Sequence, residues 1–212
     1  MREITKKIYE VHELSEEARD EAYYNWQLHS DYPWGQENEE SLSAFIDVFP
    51  ISVNDWQYDQ FTGHISFDFE SDEDIEELSG IRLMKYIYNN YWSNITSGRF
   101  YSLWSKKDKN PYYTENGHAP WGKLKTRYSK IMVSMDNCPF TGYHIDGALL
   151  QPIFKFMDNP CEYTTFNDLM DECLNNWVSD CVKDYEYCSS MEYFEDYCEA
   201  NNMEFDEYGN VA

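Results

Sequence analysis

Positive charge is scarce in this chain. Its 212 residues carry 16 Lys and Arg against 40 Asp and Glu, a formal net charge of -24. Nucleic acid and anionic lipid are bound chiefly by cationic side chains meeting phosphates, so direct binding to either is not expected. Long apolar runs are missing as well. The longest extend over a few residues, such as Gly147 to Leu150 between Asp146 and Gln151, far short of the roughly 20 that cross a bilayer, and no membrane segment is expected. The opening residues from Met1 to Ile8 hold charges with no apolar stretch behind them. That pattern fits neither a secretory signal nor an acid-poor transit peptide, and it predicts a cytoplasmic protein.

Motifs that carry chemistry are also wanting. There is no Gly-x-Gly-x-x-Gly, no Walker loop and no Gly-x-Ser-x-Gly, so no phosphate cradle or nucleophile elbow is expected. The six cysteines (Cys138, Cys161, Cys173, Cys181, Cys188, Cys198) include no Cys-x-x-Cys pair, and the five histidines show no ligand spacing. Neither a metal nor another cofactor is therefore predicted. Without an export signal the thiols are expected to be reduced, and the sequon Asn94-Ile95-Thr96 to be idle. The best catalytic fragment places Cys138, His144 and Asp146 close together. Catalytic Cys and His usually come from distant parts of a chain, so a turn rich in Pro and Gly is the better reading, and no catalytic residue is assigned.

What the chain does have is bulky apolar material. Aromatic residues make up 18% of it, with 19 Tyr, 12 Phe and 7 Trp, which is what disordered acidic chains lack. A chain of this length can bury roughly 70% of the surface its unfolded form exposes. One compact α+β domain over residues 1–212 is predicted, with neither internal repeat nor linker. An antiparallel sheet packed with several amphipathic helices and a helical C-terminal third are its expected parts.

The pattern places a strand over Ile4 to Val11, then a helix capped by Ser15 with Ala18, Ala22 and Trp26 on one stripe. That helix is expected to fray near Asp31-Tyr32-Pro33. A second helix runs from about Asn38 to Phe49 on Leu42, Phe45, Ile46 and Phe49. Val53 to Tyr58 and His64 to Glu70 read as paired strands around a turn that includes Gly63. A helix is expected from about Asp74 to Tyr91, broken or kinked at Gly80, with Ile81, Met84, Ile87 and Tyr91 inward. Strands at Phe100 to Ser105 and Leu124 to Ser134 are read as bracketing a loop from Asn110 to Gly122. A helix over about Gly147 to Met157 follows. The longest helix begins at Thr165, with Asp168 completing a capping box, and keeps an apolar stripe to Tyr185 on which Cys173 and Cys181 lie. A last helix starts near Ser189, and Met203 to Val211 reads as a terminal turn or strand.

Two charged features are candidate binding sites. Asp171, Glu172, Asp180, Asp184, Glu186, Glu192, Glu195, Asp196 and Glu199 decorate the outer sides of the last two helices. They read either as a solvated helix face or as a surface that mimics a phosphate backbone and competes for a basic protein groove, with tyrosines as stiff contact area. In contrast, Arg99, Lys106, Lys107, Lys123, Lys125 and Arg127 fall in a locally basic, aromatic stretch. That stretch is the candidate for holding the phosphates and stacking the base of a nucleotide.

The run Lys7-Ile8-Tyr9-Glu10-Val11-His12-Glu13-Leu14-Ser15-Glu16-Glu17-Ala18-Arg19 resembles an opening common to uncharacterised phage and prophage proteins. Segments such as Leu78-Ser79-Gly80-Ile81-Arg82-Leu83, Tyr101 to Lys107 and Leu150-Gln151-Pro152-Ile153 extend the likeness over nearly the whole length. The resemblance implies a phage-encoded accessory protein acting in the bacterial host cytoplasm. Such a protein is expected to bind and inhibit a basic host factor that handles nucleic acid or serves defence. The alternatives are a nucleotide sponge built on residues 99–130 and an enzyme of unrecognised type.

Overall fold

The computed structural model describes residues 7–71, 74–96 and 140–212. Among them are seven α-helices and one two-stranded antiparallel sheet, so the fold is α+β with a helical C-terminal region. The expected strands at residues 100–105 and 124–134, and the loop between them, lie outside the described residues. The described residues group into two compact units, the first made of 7–38, 56–65 and 178–212 and the second of 39–55, 66–71, 74–96 and 140–177.

In the first unit a 3-10 turn, Val11–Glu13, leads into α1, Glu16–Gln27. Ser15 caps α1 by accepting a hydrogen bond from the Ala18 amide at 3.3 Å, as the sequence predicts, while Glu16 and Glu17 sit at the positive end of the helix dipole. The strand predicted from Ile4 is not seen among the described residues of that segment. Tyr9 forms only an isolated bridge to Phe205, and the 3-10 turn diverts the chain two residues later. α1 also stops four residues before the expected Asp31, and its last turn tightens as the Trp26 carbonyl accepts from the His29 amide three residues on at 3.1 Å, besides the ordinary bond from Ser30 at 2.9 Å.

The first unit also contains the C-terminal part of α6, Phe166–Cys188, and all of α7, Met191–Ala200. Ser190, one residue beyond the expected start, caps α7 by accepting from the Tyr193 amide at 3.2 Å. Val11, Ala22, Phe194, Cys198 and Phe205 form the core here, with Trp26, Tyr23 and Met203 packed against it. The Tyr23 hydroxyl and the Gln27 amide both donate to the Ser189 carbonyl, which fastens α1 to the junction of α6 and α7. Gly209, at φ +86, brings the C-terminal segment so close to α1 that a Cβ there would stand 2.1 Å from the Ala18 carbonyl oxygen.

Two strands, β1 at Ile51–Tyr58 and β2 at Gly63–Phe69, pair as predicted. Asp59 builds the turn by accepting from the Phe61 and Thr62 amides at 2.7 and 2.9 Å. Gly63 belongs to β2 rather than to the turn. Packing accounts for the glycine at this position, since a Cβ there would meet the Val178 side chain at 2.4 Å.

The second unit has its core around Phe166, fully buried at the start of α6. Phe49, Phe69, Tyr86 and Tyr91 all place rings within 6.4 Å of it. Thr165 and Asp168 exchange the predicted capping-box bonds at 3.1 and 3.0 Å. Cys173 lies on the buried stripe, as does Cys181 in the first unit. α2, Gly35–Ile46, contributes Leu42 and Phe45, and Phe49 follows it into the core.

Gly80 does break the helix expected from Asp74. A 3-10 turn, Ile75–Glu77, precedes it and α3, Gly80–Asn90, starts afresh. Gly80 sits at φ +55 with its amide donating to the Cys161 carbonyl at 3.1 Å, and this restart shifts the phase of α3. Leu83 and Ile87 face inward while Ile81, predicted inward, is 58% exposed. A short α4, Trp92–Ile95, follows, and α5, Asp146–Asp158, matches the helix predicted from Gly147. Asp146 is wholly buried and accepts from the Thr141 and Gly142 amides at 3.1 and 2.9 Å. Its carboxylate is committed to holding that turn, and His144 is exposed.

Candidate functional site

Charge is very uneven in the first unit. Its described residues include 19 Asp and Glu against Lys7, Arg19 and Lys183. On α1, Glu16, Glu17, Asp20 and Glu21 are exposed, and Tyr24 extends the same face. Spacings of one, four, five and eight residues put these groups on one side of a helix whose opposite side buries Ala18 and Ala22. α7 repeats the arrangement. Glu192, Glu195, Asp196 and Glu199 share a face at i, i+3, i+4 and i+7, while Phe194 and Cys198 are buried behind it.

The nine acids singled out in the sequence thus divide. Those of α7 form a face, whereas those of α6 do not. Asp180 and Asp184 lie one turn apart, Glu186 projects from another side, and Asp171 and Glu172 belong to the second unit. A 23-residue helix with acids at irregular intervals spreads them around its axis. The α1 acids lie outside the acid-dense C-terminal third, where the sequence reading places its acidic face. Their one-four-five spacing around Ala18 and Ala22 was the available signal.

Several of the nine have partners in their own chain. Arg19 pairs with Glu195 at 3.2 Å, Lys183 with Asp180 at 2.8 Å, and His12 lies 3.4 Å from Glu199. The Tyr32 and Tyr187 hydroxyls donate to Asp184 and Asp196 at 2.7 and 3.3 Å. Such bonds fix carboxylate positions, and the tyrosine hydroxyls do so without cancelling charge. The anion-binding candidates Arg99, Lys106, Lys107, Lys123, Lys125 and Arg127 lie outside the described residues.

Exposed apolar surface is concentrated in the same unit. Nine of the twelve exposed large hydrophobic side chains belong to it, including Tyr24, Trp34, Phe61, Tyr187, Tyr197 and Tyr208. Phe61, at the hairpin tip, is 82% exposed. Aromatic residues in such numbers on a surface are characteristic of protein interfaces.

A cleft of about 660 Å³ opens beside them, lined by the end of α1, the start of α7 and the C-terminal segment. Trp26 is its aromatic centre, with Tyr193 and Tyr197 ring centroids 6.1 and 6.0 Å away. Met203 and Val211 add accessible apolar surface, Phe194 and Phe205 lie buried behind it, and Asp31 stands exposed on the rim. Neither Lys nor Arg lines it. Cys188 also reaches this cleft, but burial, with the nearby Asp184 carboxylate adding to it, pushes its thiol up to about 11. A protonated thiol is a poor nucleophile, so Cys188 is not an activated one. Outside the lining, the Asn38 amide donates to the Tyr32 hydroxyl at 2.9 Å, and Tyr32 stacks on Tyr185 at 4.5 Å and donates to Asp184, which fixes that carboxylate.

Among the described residues no group of three or more His, Cys, Asp or Glu is arranged to hold a metal ion, and no helix is long and apolar enough to cross a membrane. Comparison with protein-family models, curated proteins and solved structures returns no match.

Proposed function

We propose that this chain is a phage-encoded accessory protein that binds and inhibits a basic host protein of nucleic-acid handling or defence, occupying its cationic groove as a mimic of nucleic acid. One observation carries the reading. The first unit joins carboxylate faces on α1 and α7 to a surface rich in exposed aromatics. Carboxylates repeated along helices offer a basic groove the charges it would otherwise take from phosphates. The aromatics then supply contact area at low entropic cost.

A mimic of this kind associates by long-range attraction, so its affinity is expected to fall at least about tenfold between about 50 and about 200 mM salt. The test is capture of basic host proteins on the immobilised chain at both salt levels, followed by competition with DNA and RNA for each protein captured. Stoichiometric displacement of nucleic acid, weakened when Glu16, Glu17, Asp20 and Glu21 are changed to Gln or Asn, is the expected result. If no captured protein gives up its nucleic acid, the reading is wrong.

A further inference from the structure

We propose that the aromatic cleft of the first unit is a receptor for an arginine side chain of the basic partner, so that recognition combines diffuse attraction with one anchored residue. This inference rests on the proposed function and names the contact that would make it specific.

The lining chooses the ligand. Apolar side chains below and aromatic rings around the mouth require an occupant with an apolar stem, which excludes a bare inorganic cation. The acidic rim, Asp31, together with 19 acids against three Lys and Arg in the unit, requires a positive head. An anionic occupant would enter with no Lys or Arg of the cleft to meet it, His29 being the one basic side chain in the lining. Arginine satisfies both demands, since its guanidinium stacks on aromatic faces and forks onto a carboxylate. Trp26 gives the largest ring, and Tyr197, 40% exposed, stands where an arriving side chain reaches it. The volume, about 660 Å³, falls within the roughly 300–1,000 Å³ range of small-ligand sites, enough for the side chain and part of its flanking backbone. Phe205 and Gly209 hold the remaining wall by packing against α7 and α1, so the cleft is shaped without the partner.

The probe is the peptide acetyl-Gly-Arg-Gly-amide, with its citrulline counterpart as an uncharged isostere, titrated into the full chain and followed by the Trp26 indole N–H resonance. That resonance is assigned by its loss in Trp26→Phe. Saturable shifts with arginine, at least about tenfold weaker with citrulline, are expected. Tyr197→Leu and Asp31→Asn should each weaken the arginine peptide by about threefold or more. Both positions are exposed, and thermal unfolding confirms that the variants are folded. Equal binding of both peptides, shifts confined to the α1 and α7 acids, or variants that bind as tightly as the parent would each overturn the inference. Nucleic acid displaced from a partner equally well by Tyr197→Leu and Asp31→Asn would remove the anchor while leaving the mimic intact. Peptide binding at the cleft without any displaced nucleic acid would sink the mimic instead.

Discussion

Arg19 of α1 and Glu195 of α7 face each other with Nη1 and Oε1 3.2 Å apart, and Arg19 is the only Lys or Arg among the first unit's described residues that pairs with the α7 face. Both side chains are about one-third exposed, at 35% and 33%, so solvent screens the pair and its own worth is about 0.5–1 kcal/mol. Removing Arg19 also leaves Glu195 among Glu192, Asp196 and Glu199 with that cation gone. Arg19→Gln is therefore expected to lower stability by about 1 kcal/mol in urea unfolding at low salt, and by less at high salt, where like charges are screened. A loss that grows with salt would refute this account of the pair.

Gly209 offers a sharper test of the C-terminal clasp. Its Cβ position lies 2.1 Å from the Ala18 carbonyl oxygen and its φ is +86. Gly142 has the same φ but open space around its Cβ position. Gly142→Ala should cost only the backbone strain, about 1–2 kcal/mol, and Gly209→Ala clearly more, because α1 or the tail must also shift. Equal losses in chemical unfolding would mean that the close approach is not what holds the tail.

The ease with which these features could be read from sequence tracks how local their causes are. Ser15, and Thr165 with Asp168, cap helices through bonds spanning three residues, and both were legible. The alternation of Ile65, Phe67 and Phe69 likewise announced β2. Long-range causes were not legible. Gly63 looks like a turn residue until Val178, more than a hundred positions away, is seen to fill the space a side chain would need. Ile81 looks inward-facing until the Cys161 carbonyl pins Gly80 and resets the helical phase. At the candidate site, the acid content was plain, but its division into a coherent α7 face and scattered α6 positions follows from helix geometry that a charge count ignores. The cleft could not be seen at all, since it is assembled from residues of three separated stretches.

Phe166 is the point where the second unit should be most sensitive. It is fully buried, and its ring meets four other aromatic rings. Phe166→Ala is expected to cost about 3–5 kcal/mol, and Phe166→Leu much less, as measured by urea midpoints. A small loss from the alanine variant would show that this cluster collapses onto the gap.

The buried thiols set an alkaline limit to stability. Burial raises Cys188 and Cys198 from the ordinary 9.0 to about 11, with Asp184 and Glu195 respectively adding to the effect. Cys181 is raised further, also chiefly by burial. A raised folded-state value means that the folded chain holds these protons more tightly than the unfolded chain does. Below pH 9 both states are protonated and the stabilisation is fully present. Between about 9 and about 11 the unfolded thiols ionise while the folded ones do not, so the unfolded state gains and stability declines with each step in pH. The urea midpoint is therefore expected to be level from about pH 7.5 to pH 8.5 with respect to these groups, then to fall through pH 10.5. Cys188→Ala should make that fall shallower, since one of the protons that drives it is gone, even if the variant starts from a lower midpoint. An identical slope in parent and variant would mean that the Cys188 thiol is not held protonated by its surroundings.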